Sequence, residues 1–188
     1  MARQVRRHAP APALLTLGLL AAVLVGCGGS PAEPESPFPA RPADIDVSTL
    51  DPCTTLTEQR RADMELSEGR PTNVPVGEVT SRACAWSNFD DGFNYTVQLL
   101  PMDAADAVGS DDSSLTQING FGAVQGTGLG SSTPICQLII DAGPGQAIRV
   151  QAQSTLLDDE GQPLTFDQVC PRVSNFATAV VESALARS

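Results

Sequence analysis

The chain has 188 residues and a formal net charge of −11, from 11 basic and 22 acidic side chains. Every basic residue is an arginine, the single histidine is His8, and there is no lysine. A charge this negative repels nucleic acid and anionic lipid headgroups, so neither is expected as a direct partner.

Arg3, Arg6 and Arg7 make a basic start, and Leu14 to Val25 follows as an uncharged apolar run. The run has the length of a signal-peptide core and is too short for the roughly 30 Å of bilayer hydrocarbon. It closes on Leu24-Val25-Gly26-Cys27, which resembles the lipobox of bacterial lipoproteins. There the cysteine thiol is thioether-linked to diacylglycerol, and cleavage leaves that cysteine as the new N-terminus. An ordinary secretory cut beside an incidental cysteine is the plainer alternative. His8-Ala9-Pro10 after Arg6-Arg7 lacks the apolar residues of a twin-arginine signal, which favours the general export route. Residues 1–26 are thus read as a signal peptide with lipobox and Cys27 as the lipidation site. The mature chain is expected on the extracytoplasmic face of the cell membrane.

Cleavage there removes three arginines and His8, leaving 8 arginines against 22 acids, a net charge of −14. With no imidazole and no lysine, the mature chain lacks the base for Ser-His-Asp, Cys-His, Ser-Lys and Schiff-base chemistry, and the lysine of a P-loop. Zinc sites, built mostly on His or unpaired Cys, lose their usual ligands too. Only a carboxylate pair, as in glycosidases, remains open to an enzyme. The all-arginine usage and the abundance of Ala, Gly, Pro, Asp and Val fit a GC-rich coding sequence, as in actinobacteria.

Residues 27–44 carry Pro31, Pro34, Pro37, Pro39 and Pro42 after Gly28-Gly29-Ser30. Proline favours extended polyproline II at about 3.1 Å per residue, so this stretch reads as a tether reaching roughly 50 Å. Residues 45–188 have globular composition and read as one domain. Asp51-Pro52 is a helix-start signal, and Thr57 caps a helix expected to run to about Leu66. Ala83–Ser87 reads as a short strand, and Asp90-Asp91-Gly92 as a turn. Phe93, Tyr95, Val97 and Leu99 alternate with polar residues in the clearest half-buried strand of the chain. Residues 101–119 read as acidic and irregular, with one helical turn near Asp103–Val108. Phe121–Gln125 reads as a weak strand, and Gly126–Pro134 as a flexible loop. Cys136–Asp141 and Ala147–Gln153 read as a hairpin about Gly143-Pro144-Gly145. Thr165 with Gln168 is a capping box, and Val169, Val173, Phe176, Val180 and Ala184 make one helical stripe. Pro171 conflicts with an unbroken helix from Thr165, so either it starts the main helix or the helix kinks there. The expected fold is α+β: an antiparallel sheet of about five strands with N-terminal and C-terminal helices packed on it.

Cys53, Cys84, Cys136 and Cys170 are an even set in an exported domain, which reads as two disulfides. Three connectivities are open. Cys53–Cys84 with Cys136–Cys170 is favoured because each joins a helix to a strand in the same half of the chain.

Asp51-Pro52-Cys53, Cys84-Ala85-Trp86, Cys136 and a cysteine in the last helix together resemble the actinobacterial lipoprotein family of unknown function DUF3558, over about residues 48–186. The resemblance implies the anchor, the single domain and paired cysteines; it brings no catalytic residues. It also implies similarity to the small Mog1/PsbP-like fold, which says nothing firm about activity.

Other candidate sites have plainer readings beside them. Gly120-Phe121-Gly122 and Gly126-Thr127-Gly128-Leu129-Gly130 look like phosphate loops, but no lysine or helix start follows, so a mobile loop is the better reading. Asp90-Asp91, Asp111-Asp112 and Asp158-Asp159-Glu160 offer carboxylates to calcium without an EF-hand pattern. Trp86 could anchor an interface but reads better as core over the first disulfide, and Tyr95 or Phe121, which could bind ligand if exposed at a sheet edge, read better as core packing too. The expected function is a non-enzymatic, lipid-anchored module that binds an envelope protein or cell-wall component. A small lipid or hydrophobic-ligand carrier is the alternative, and a carboxylate-based cell-wall hydrolase a remote one. No cofactor or metal is expected.

Overall fold

Seven strands, not five, form one antiparallel sheet in the computed structural model, which describes residues 36–187 except 77–78, 111 and 129–132. They are β1 (Arg70–Val76), β2 (Val79–Ser87), β3 (Phe93–Leu100), β4 (Ser113–Ile118), β5 (Phe121–Gly128), β6 (Ile135–Gly143) and β7 (Gln146–Ser154). The spatial order is β1-β2-β3-β7-β6-β5-β4, two meanders joined where β3 pairs with β7. Ser36–Ser188 makes one compact unit. Cys27 and residues 1–26 lie outside the described residues.

The two added strands carry misleading sequence. β1 holds Pro71 and Pro75, which remove ladder donors. Four residues apart, they share one side of the strand, and β1 is a sheet edge, so the missing N–H groups fall on the side with no neighbour. β4 is polar and at the other edge, where few side chains need to be apolar. Its hairpin with β5 turns on Asn119-Gly120, both at positive φ (51° and 84°), the conformation a two-residue hairpin favours. Residues 113–119 are therefore ordered, and Gly126-Thr127-Gly128 belongs to β5 rather than to a loop.

One face of the sheet is apolar. Val97, Leu138, Ile148 and Val150 are fully buried on it, under the helix α2 (Phe166–Leu185) that crosses β6 and β7. All five stripe residues of α2 are buried. The helix runs through Pro171 without a break. The proline frees the carbonyl of Asp167, an exposed residue in the first turn, where the lost bond costs least because solvent has access. At the start, Gln168 Oε1 accepts from the Thr165 backbone N–H at 2.8 Å.

The N-terminal helix departs from expectation. α1 spans only Glu58–Asp63, capped by Thr57, whose Oγ1 accepts from the Arg60 N–H at 3.2 Å, and none of its residues is buried. It contributes no core layer. Ile45, Val47, Leu50, Leu56 and Leu66, from the irregular chain around it, do so instead. Asp51 caps a short 3-10 turn at Pro52–Thr54, its Oδ1 accepting from the Cys53 N–H at 2.9 Å.

Both favoured disulfides are present: Cys53–Cys84 ties the 3-10 turn to β2, and Cys136–Cys170 ties β6 to α2. Ser36–Asp44, within the stretch read as tether, lies against the sheet. Phe38 covers Gly122, and Arg41 bridges Asp44 at 2.9 Å and Asp141 at 2.6 Å. Ile45 N–H then donates to Ala142 O at 2.8 Å, so the chain enters at the end of the sheet that carries the β6–β7 turn.

Candidate functional site

A cleft of about 470 Å3 opens between α1, the β2–β3 turn and α2. Three separated segments build it: Arg60 to Glu65, Asn88 to Tyr95, and Arg172 to Ala179. Asn88 fixes the geometry. Its Oδ1 accepts from the N–H groups of Asp90 and Asp91 at 2.9 and 3.0 Å, which sets the turn, and its Nδ2 donates to Met64 O at 3.1 Å. The same side chain thus shapes the turn and ties it to the end of α1.

Tyr95 forms the floor. β3 is a central strand, and the Tyr95 ring packs between Phe93 and Phe176, at 6.1 and 4.8 Å between centroids. The residue is 2 % exposed, yet it lines the cleft. Among the described residues its hydroxyl has no hydrogen-bond partner. No buried side-chain polar atom lacks a partner among the described residues, so this hydroxyl reaches the water of the cleft, where a ligand could replace that water. Burial pushes the phenol up to about 12, the negative charge of Asp91 adds to this, and Arg172 opposes it. Like any tyrosine it carries its proton at neutral pH, and its ring is positioned by Phe93 and Phe176.

The walls carry both charges. Arg172 faces Asp91 at 3.4 Å and lies over the Phe93 ring at 5.2 Å, while Arg60 pairs with Glu182 at 2.7 Å. Asp63 and Glu65 line the α1 side, and Asn175 and Thr178 the α2 side. Such a cleft suits a small polar ligand that accepts a bond from the phenol and meets charge of either sign at the rim.

The raised phenol makes alkaline stability a direct measure of this burial. Below about pH 10 folded and unfolded chains both keep the proton; above it the unfolded chain ionises first. Stability should therefore fall between about pH 10 and 12, by on the order of 2 kcal/mol, and Tyr95→Phe should remove that loss. With one tyrosine in the chain, absorbance near 295 nm reads its titration directly. A midpoint near the ordinary value of 10 would contradict the buried position.

The residues singled out in sequence have other positions. Phe121 is fully buried core and no sheet-edge ligand contact, and Trp86, 1 % exposed, sits in the core beside the first disulfide. The ring of Trp86 and the Cys84 sulfur both lie against Gly69. Gly120 turns the β4–β5 hairpin, Gly122 underlies Phe38, and residues 129–132 lie outside the described residues. Asp158 Oδ1 accepts from the Glu160 and Gln162 N–H groups at 3.1 and 2.7 Å, a turn-forming role. Among the described residues no three Asp, Glu, His or Cys side chains group as metal ligands. No described helix is long and apolar enough to cross a membrane.

Fold and site together define a disulfide-bonded α+β domain with a mixed-charge surface cleft on a tyrosine floor. The chain belongs to the family described as protein of unknown function DUF3558, whose model matches residues 22–183. No curated protein and no solved structure matches it.

Proposed function

We propose that this protein is an exported lipoprotein, acylated on Cys27, that acts as a non-enzymatic binding module at the outer face of the cell membrane. The observation that carries the binding role is the ligand-sized cleft, at whose floor the Tyr95 hydroxyl emerges from an otherwise buried ring with no protein partner among the described residues. The anchor is supported by the basic start, the apolar run and Leu24-Val25-Gly26-Cys27, which fall inside or beside the family match from residue 22. A carrier needs an apolar cavity between helix and sheet, whereas Phe176, Trp86 and Tyr95 fill that space here. The helix laid across an antiparallel sheet also supports reading the fold as Mog1/PsbP-like, which by itself assigns no activity.

Two measurements test the reading. Cys27→Ser in the full chain should abolish acylation and move the protein out of the membrane fraction, read by intact mass and detergent partitioning. A wild-type mass without acyl chains would refute the anchor. For the cleft, synthetic cell-wall stem peptides and a wall disaccharide are titrated against the full chain. A saturable ligand should lose about tenfold in affinity in Tyr95→Phe, the effect of about 1.4 kcal/mol for one hydrogen bond from the phenol. Binding that is equal in the variant, or absent for every wall fragment, would count against a cleft for wall components.

A further inference from the structure

Among the described residues, four of the six exposed large hydrophobic side chains sit at one end of the sheet: Phe89 at 81 %, Leu157 at 59 %, Leu156 at 46 % and Phe166 at 37 % exposure. Phe89 is on the β2–β3 turn, Leu156 and Leu157 follow β7, and Phe166 opens α2. Turn and connection are one assembly. Leu156 packs over Gly92, and the Thr155 N–H and hydroxyl both donate to Gly92 O at 3.2 Å. A Phe with four-fifths of its surface in water gains nothing from folding, and clustered exposed apolar groups mark interaction sites.

Acids surround them. Asp90, Asp159, Glu160 and Asp167 are exposed on the same three segments. Arg172, at the border, is turned to Asp91 and Phe93. This end lies opposite the one where Ile45 joins the sheet. The preceding stretch Gly28-Gly29-Ser30-Pro31-Ala32-Glu33-Pro34-Glu35 has no large apolar side chain and two more acids, so it does not complement the patch. A second copy would bring acid against acid, and so would an anionic membrane surface.

We propose that this end of the sheet is a docking surface for a basic, amphipathic segment of another envelope protein. The segment's apolar side chains would cover Phe89, Leu156, Leu157 and Phe166, and its cations would meet the acidic rim. The inference rests on the binding-module reading but not on the Tyr95 cleft.

The test uses the full chain in phosphatidylcholine nanodiscs, titrated with an amphipathic lysine–leucine peptide and with its glutamate–leucine counterpart. Hydrogen exchange is followed at residues 88–92 and 155–166. The lysine peptide should slow exchange in both segments saturably, more weakly as salt is raised, and the glutamate peptide should not. Phe89→Ser with Leu157→Ser should weaken the lysine peptide at least tenfold while melting is unchanged, since both positions are exposed. Tyr95→Phe should leave it untouched, so failure of the cleft and failure of the dock are told apart. Several results would overturn the proposal: no protection, or equal protection in the double variant. Protection already present before peptide would point to the bilayer, and protection that rises with protein concentration would point to a second copy.

Discussion

Replacing Cys53 and Cys84 together by alanine is expected to lower unfolding free energy by about 4 kcal/mol, and the Cys136/Cys170 pair by about the same. The estimate follows from loop length. The bridges close separations of 31 and 34 residues, and removing each restores that closure entropy to the unfolded chain. Against a typical net stability of about 5–15 kcal/mol, one lost bridge leaves a weakened domain. Losing both should leave little folded protein at 37 °C. Urea denaturation of each paired variant, fitted with its own m-value and extrapolated to water, reads the effect. A loss under about 1 kcal/mol for either pair would mean that its closure hardly restricts the unfolded chain.

Phe176→Ala is the second change with a large expected effect, a loss of about 3–5 kcal/mol. Phe176 is fully buried and joins the helix to the sheet through two rings, Trp86 edge-on at 5.7 Å and Tyr95 at 4.8 Å. Alanine leaves a cavity behind the cleft floor, because Trp86 and Tyr95 are cross-strand partners held in place by the β2–β3 pairing and relax only in part. Trp86 is the single tryptophan, so its emission reports this site alone. A double-mutant cycle with Trp86→Phe should give coupling above about 0.5 kcal/mol, as contacting residues do. Additive losses would show that the aromatic contact adds nothing beyond buried area.

The sequence made some of this plain and hid the rest for physical reasons. β3 alternates cleanly because one of its faces packs under α2, and the β6–β7 hairpin is marked by its glycine–proline turn. The cysteine pairing was legible because each bridge joins a helical segment to a strand in the same half of the chain. β1 was hidden by Pro71 and Pro75, which an edge tolerates and a central strand does not. β4 was hidden by its polarity, although Asn119-Gly120 between two segments of strand character is a hairpin signal that could have found it. Phe38 is one aromatic residue among prolines, and nothing local says that Gly122 leaves room for it. The cleft is the least legible feature. Its residues come from three distant segments, and its central group is the far end of a side chain whose ring belongs to the core.

The two bridges follow one another along the chain rather than interleaving: the first closes at Cys84, well before Cys136. The sheet does the opposite, since its two halves meet only when Phe93 to Leu100 finds Ala147 to Ser154. For a chain delivered N-terminus first, Cys53 and Cys84 can pair before Cys136 arrives, and once paired they leave Cys136 to wait for Cys170. The slow step is then the seam between the meanders, which must wait for the last strand. Covalent order is thus vectorial while strand order is not, and a partly emerged chain would hold its first knot in place with half a sheet still open along β3.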